Sequence, residues 1–142
     1  MKPLPNRQTL LRYGPAAVIS VVITALSLAP AYLFHGVESS LPPIKNLDKI
    51  VHALMYATLT AAYLHATPYP ERSRLSVVLR IALLASVFGI VMELCQKWLT
   101  TTRTMEVLDA LANAAGAFAC ALLAYAWSRH QAGNGRTNHA GH

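Results

Sequence analysis

Residues 15–34 read PAAVISVVITALSLAPAYLF, twenty consecutive positions without a charge. Wound as a helix at about 1.5 Å per residue, they cover roughly 30 Å, the thickness of a hydrocarbon core. Three more apolar stretches follow. Residues 50–66 are interrupted by His52 and His65, residues 75–94 carry Arg80 and Glu93 near their ends, and residues 107–127 carry Asp109 and Asn113 in their first two turns. Hydrophobic residues make up 54% of the chain and DEKR 13%, about half the charged share of a soluble domain. A soluble four-helix bundle would show a polar face along every helix, and the first and fourth segments show none. The pattern predicts an all-α, four-span transmembrane helix bundle with spans at about 13–34, 48–66, 75–97 and 107–127. A basic segment (1–12) precedes this single domain (13–127), and a polar, disordered tail (128–142) follows it.

The first span also begins like a signal peptide, with Lys2, Arg7 and Arg12 ahead of the apolar run and Ala29-Pro30-Ala31 near its end. The run is about twice the length of a typical signal core, and Pro30 lies inside the supposed cleavage site, so an uncleaved span is expected. Pro15 suits a first helical turn, and Pro30 a kink or an end. Placing both termini in the cytoplasm puts Lys2, Arg7, Arg12, Arg72, Arg74, Arg80, Arg129 and Arg136 inside, offset only by Glu71. The outer side then holds Lys45, Lys49, Lys97 and Arg103 against Glu38, Asp48, Glu93, Glu106 and Asp109. The formal +6 thus splits into +7 inside and −1 outside, as the positive-inside rule requires. A basic balance set by topology gives no reason to expect nucleic acid as a partner. The expected location is a membrane, crossed several times.

This topology brings the polar residues together. The start of span two, the end of span three and the start of span four all fall at the outer leaflet. Asp48, His52 and Tyr56 recur at i, i+4, i+8 and share one helix face. Ser86, Gly89, Glu93 and Gln96 form a second such stripe, and Asp109, Asn113, Gly116 and Cys120 a third. Ionisable groups at membrane depth cost roughly 2.5–3.5 kcal/mol each at a helix centre, so several retained at one depth point to a site.

In this order and on these spans the residues resemble the VanZ-like family of small bacterial membrane proteins, over about residues 47–125. The matching features are Asp48-Lys49, His52, Tyr56, Glu93-x-x-Gln96, the loop residue Arg103, and Asp109-x-x-x-Asn113-x-x-Gly116. Ala53 departs from the pattern, because an aromatic commonly follows the histidine. The resemblance implies a four-helix inner-membrane protein tied to the cell envelope, with the founding member linked to resistance to the glycopeptide teicoplanin. It supplies no reaction.

Two functional readings emerge. In the favoured one the protein binds an anionic membrane lipid or envelope precursor at the outer leaflet. Lys49, Lys97 and Arg103 would hold its phosphate, and Asp48, His52, Tyr56, Glu93, Gln96, Asp109 and Asn113 would complete the binding set. In the alternative the cluster is a membrane-embedded hydrolase or transferase site. His52 would act as general base oriented by Asp48 or Glu93, or His52, Glu93 and Asp109 would hold a divalent metal. No nucleophile accompanies the set, although Thr100, Thr101, Thr102 and Thr104 lie in the adjoining loop, so catalytic roles stay unassigned and no cofactor or metal is expected. Structural roles compete for the same residues. Asp48, Glu106 and Asp109 suit helix N-termini. Asn113 and Gly116, flanked by Ala112, Ala115 and Ala119, suit close helix packing, and Tyr56 suits packing. Tyr13, Trp98, Tyr125 and Trp127 suit the interfacial belt, as His35 and His65 suit span ends. Cys95 and Cys120 fall about 16 Å apart in depth and are not expected to pair. P-loop, GxGxxG, GxSxG and HExxH patterns are absent, which removes the common nucleotide, serine-hydrolase and zincin readings.

Overall fold

A computed structural model of the chain describes residues 7–33, 45–100 and 106–137. All regular structure among them is helical. The helices are α1 (Arg7–Leu28), α2 (Leu47–Ala66), α3 (Tyr69–Arg72, a single turn), α4 (Leu75–Leu99) and α5 (Val107–Thr137), with a 3-10 turn at Ala31–Leu33.

Helix α1 begins eight residues ahead of Pro15, which therefore lies inside the helix and not in its first turn. A buried row of Ala16, Ile23 and Ser27 faces the bundle, while Val18, Val21, Val22 and Leu26 face outward. Pro30 stops the helix as expected. Its carbonyl accepts the Leu33 N–H at 3.1 Å and starts the 3-10 turn.

Helix α2 starts from Asn46, whose φ of 59° is the left-handed conformation that asparagine tolerates best among residues with a Cβ. It ends at Ala66, where the Thr67 N–H turns back to the Tyr63 and Leu64 carbonyls and Pro68 blocks continuation. This helix is the centre of the bundle. It packs most extensively on α5 and also meets α1 and α4.

Helix α4 buries Val78, Ala82, Ala85, Ser86, Gly89, Met92, Glu93 and Gln96, a stripe at three- and four-residue steps. Helix α5 buries Asn113, Gly116, Ala117, Ala121 and Ser128. Small residues dominate these faces, so backbones approach closely. A Cβ on Gly116 would lie 2.6 Å from the Ala53 carbonyl carbon and 2.8 Å from its Cα. Of the alanines expected at this contact, Ala115 and Ala119 face outward instead, and Ala117 and Ala121 take their place. Tyr125 packs against the apolar core, whereas Trp98 and Trp127 are exposed. Both cysteines are free.

Outward faces carry Leu83, Leu84, Leu111, Leu122 and Leu123, an apolar exterior suited to lipid. Three segments have the length and apolarity to cross a membrane: Leu11–Leu28, Leu75–Leu99 and Val107–Gln131. Helix α2 is not among them, because Asp48, Lys49 and His52 fall within its first two turns and His65 in its last. Of the expected tail at 128–142, residues 128–137 are described and 138–142 lie outside the described residues. Helix α5 runs on to Thr137. Ser128 is buried, with its hydroxyl on the Tyr125 carbonyl at 2.8 Å and its own carbonyl accepting the Tyr69 hydroxyl at 3.4 Å. Polarity marks where a membrane ends; without a proline or a tight turn it does not end a helix.

Candidate functional site

One end of the bundle gathers the first turns of α2, the last turns of α4 and the first turns of α5. Its outer layer centres on Lys49, whose Nζ donates to Asp48, lies 2.9 Å from Glu106 Oε2 and lies 3.0 Å from Asp109 Oδ1. Three carboxylates thus converge on one ammonium. Beneath it stands His52. The ring Nδ1 lies 3.0 Å from Asn113 Oδ1, so Nδ1–H donates to the amide oxygen. Nδ1 is also 3.8 Å from Glu93 Oε1, and Nε2 is 3.7 Å from Asp109 Oδ2, both too long for hydrogen bonds. Asp109 joins the layers, with one oxygen toward Lys49 and the other toward His52.

Exposure falls steeply inward. The Asp48 and Glu106 side chains are 54% and 52% accessible, Lys49 21%, His52 16%, Asp109 13% and Glu93 1%. The cluster therefore opens outward and closes on Glu93. Its floor is Gly89, whose missing side chain makes room for Asn113 and the Tyr56 ring, each about 3.0–3.1 Å from where a Cβ would stand. Tyr56 is buried with its ring tilted against Phe88 at 6.2 Å. Its hydroxyl and Asn113 Nδ2 are buried without hydrogen-bond partners among the described residues.

The expected residues are not all brought together. Asp48, Lys49, His52, Glu93, Asp109 and Asn113 converge, with Tyr56 directly below. Gln96 turns away, and its Nε2 donates to the Ser27 carbonyl at 3.1 Å. That carbonyl lies in the last turn of α1, where helices leave acceptors unpaired, so Gln96 ties α4 to α1. Lys97 is exposed and makes no ion pair among the described residues, although it stands four residues after Glu93. Arg103, Thr101, Thr102, Thr104 and His35 lie outside the described residues. Glu106, expected only as a helix cap, is a member of the site. It binds Lys49 with its side chain, and its N–H donates to Glu93 Oε2 at 3.4 Å. Its place one turn before Asp109 was the available signal.

Charge decides what the arrangement can do. Four of the six acids in the chain meet here, namely Asp48, Glu93, Glu106 and Asp109. Against them stand one lysine, already engaged, and one histidine. Lys49 is therefore not a free cation for a phosphate. The chain matches no family model, no curated protein and no solved structure.

Proposed function

We propose that the chain is a multi-pass inner-membrane protein of the VanZ-like kind, with α2 as a fourth span sheltered by α1, α4 and α5 and with the polar end at the outer leaflet. In this reading the cluster receives the headgroup of an anionic membrane lipid or envelope intermediate through its hydroxyl and ammonium groups, since the four carboxylates and the engaged Lys49 offer its phosphate no free cation. The observation that carries it is the constellation of His52, Glu93, Asp109 and Asn113, drawn from three helices onto a shared, outward-opening point. Capping explains acids in a first turn, but it gives no reason for Glu93, near the end of α4, to be buried beside His52. Hydroxyl and ammonium groups of the headgroup suit the carboxylates, and Lys49 keeps three of those carboxylates from repelling one another.

A second reading, a membrane-embedded hydrolase or transferase, draws on the orientation of His52. With Nδ1–H held by Asn113, Nε2 carries the lone pair and stands 3.7 Å from Asp109 Oδ2, free to take a proton as a general base requires. The two readings separate in one comparison. Lipids co-purifying with the wild-type protein are profiled against those of a His52→Ala, Glu93→Ala double variant. A binder loses one polar-headgroup species at unchanged mass. An enzyme changes the mass of that species on incubation with purified wild type. Identical profiles from both proteins, with both folded, count against the site altogether.

A further inference from the structure

We infer that His52 Nε2, Glu93 and Asp109 form a binding site for one divalent cation of the hard-to-intermediate class, Mn2+ or Mg2+ being its type. One potential ligand atom from each residue lies within 4.8 Å of the others. The 3.7 and 3.8 Å separations around His52 are too long for hydrogen bonds. The 3.7 Å between Nε2 and Asp109 Oδ2 falls inside the roughly 3.0–4.2 Å that separates neighbouring or opposite ligands around a cation about 2.1 Å from each; the 3.8 Å from Glu93 is measured to Nδ1, so Glu93 joins the set on the 4.8 Å grouping alone. The spacing suits ligands standing around an ion.

Three further observations favour the site. Asn113 fixes the tautomer of His52 through Nδ1, which leaves the Nε2 lone pair for a metal; ligating histidines are commonly oriented through their other nitrogen in this way. Glu93 is a fully buried carboxylate. Among the described residues its one hydrogen bond is the long 3.4 Å contact from the Glu106 N–H to Oε2. A buried anion so poorly matched is costly unless a cation stands beside it. Finally, Lys49 decides between the two acid groupings. It fills the one made by Asp48, Glu106 and Asp109, and by holding Asp109 Oδ1 it leaves Oδ2 turned to His52. One imidazole with two carboxylates suits Mn2+ or Mg2+ better than a thiolate-seeking metal.

Such an ion would also provide the positive charge that the engaged Lys49 cannot. Three protein ligands would leave coordination positions free, and a phosphate oxygen could take one of them. That last step rests on the headgroup reading; the cation site itself does not.

The test uses the full-length protein in detergent, stripped with a chelator and titrated with Mn2+ alone. Free Mn2+ is followed by electron paramagnetic resonance, and folding of each variant by circular dichroism. One Mn2+ per chain is expected, with nitrogen modulation of the bound signal from His52 that disappears in His52→Gln. Glu93→Gln and Asp109→Asn should each weaken binding at least tenfold, and Asn113→Ala by about 10–100-fold, the usual cost of losing a ligand's orienting partner. Glu71→Gln, which removes an exposed carboxylate beyond the other end of α2, should change affinity by less than about threefold, as expected for an exposed charge. The inference is overturned by no stoichiometric binding, by a bound signal without nitrogen modulation in the wild type, or by an equal loss in Glu71→Gln. Because no headgroup is present, a negative result removes the cation site and leaves the headgroup reading to the lipid comparison.

Discussion

Gly116 shows how narrowly the closest helix contact is specified. Its Cα faces the backbone of Ala53, and a methyl group there would collide with a carbonyl that cannot rotate aside. Gly116→Ala should therefore cost about 1–3 kcal/mol, the usual penalty of overpacking, and lower the melting temperature of the purified protein. Gly14 is the matched control. Beyond its chain neighbours and its own helix backbone nothing lies within 4 Å of a Cβ built there, and since Pro15 disfavours helical backbone at a preceding residue with a Cβ, the propensity gain is offset and Gly14→Ala should change stability by less than about 1 kcal/mol. Equal effects of the two changes would show that the contact at Gly116 does not constrain the bundle. The sequence marks Gly116 as one of a small-residue stripe. It does not mark Ala53 as the partner, because an alanine among alanines carries no sign of which helix meets its backbone. Glu106 was misjudged for a related reason: an acid beside a helix start fits capping so well that its second role, holding Lys49, left no separate trace.

At the scale of elements, apolar run length foretold α1, α4 and α5, while ends were foretold only where chemistry enforces them. Pro30 and Pro68 stop helices. The polar residues after Trp127 do not, and α5 runs on to Thr137. Helix α2 is the informative case. Its 20 residues span about 30 Å, yet Asp48, Lys49, His52 and His65 leave it less apolar than the membrane-length stretches of the three helices around it. It can cross only with those groups paired or at its ends, and the cluster pairs three of them at one end. Asn46 and Glu71 flank it and are exposed. An impermeant thiol reagent applied to intact cells should label Asn46→Cys and spare Glu71→Cys. Labelling of both, or of neither, would mean that α2 does not cross; labelling of Glu71→Cys alone would invert the protein and place the site at the inner leaflet.

Seen whole, the molecule separates its charge. Four of the six acids sit at one end, and a groove lined by Arg12, His65 and Arg72 lies at the other. That polarity was legible because charge counts and helical spacing need no tertiary detail. Engagement was not. Sequence offers Lys49 as a cation for a ligand, and only the packing of α2 on α5 shows it committed to three carboxylates. The same holds for Gln96, which spacing places in the polar stripe and which the fold spends on the Ser27 carbonyl. If the cluster serves a ligand, it does so at some cost to stability, as functional sites commonly do. Glu93 is its most buried charge, so the most direct measurement is the melting temperature of Glu93→Gln in detergent with a chelator present. Glutamine keeps the shape and removes a desolvated charge, and the account predicts melting at or above the wild-type temperature. If Glu93 instead holds the bundle together through an ion pair with His52, its loss should remove about 3–5 kcal/mol, and a clear fall in melting temperature would contradict the account.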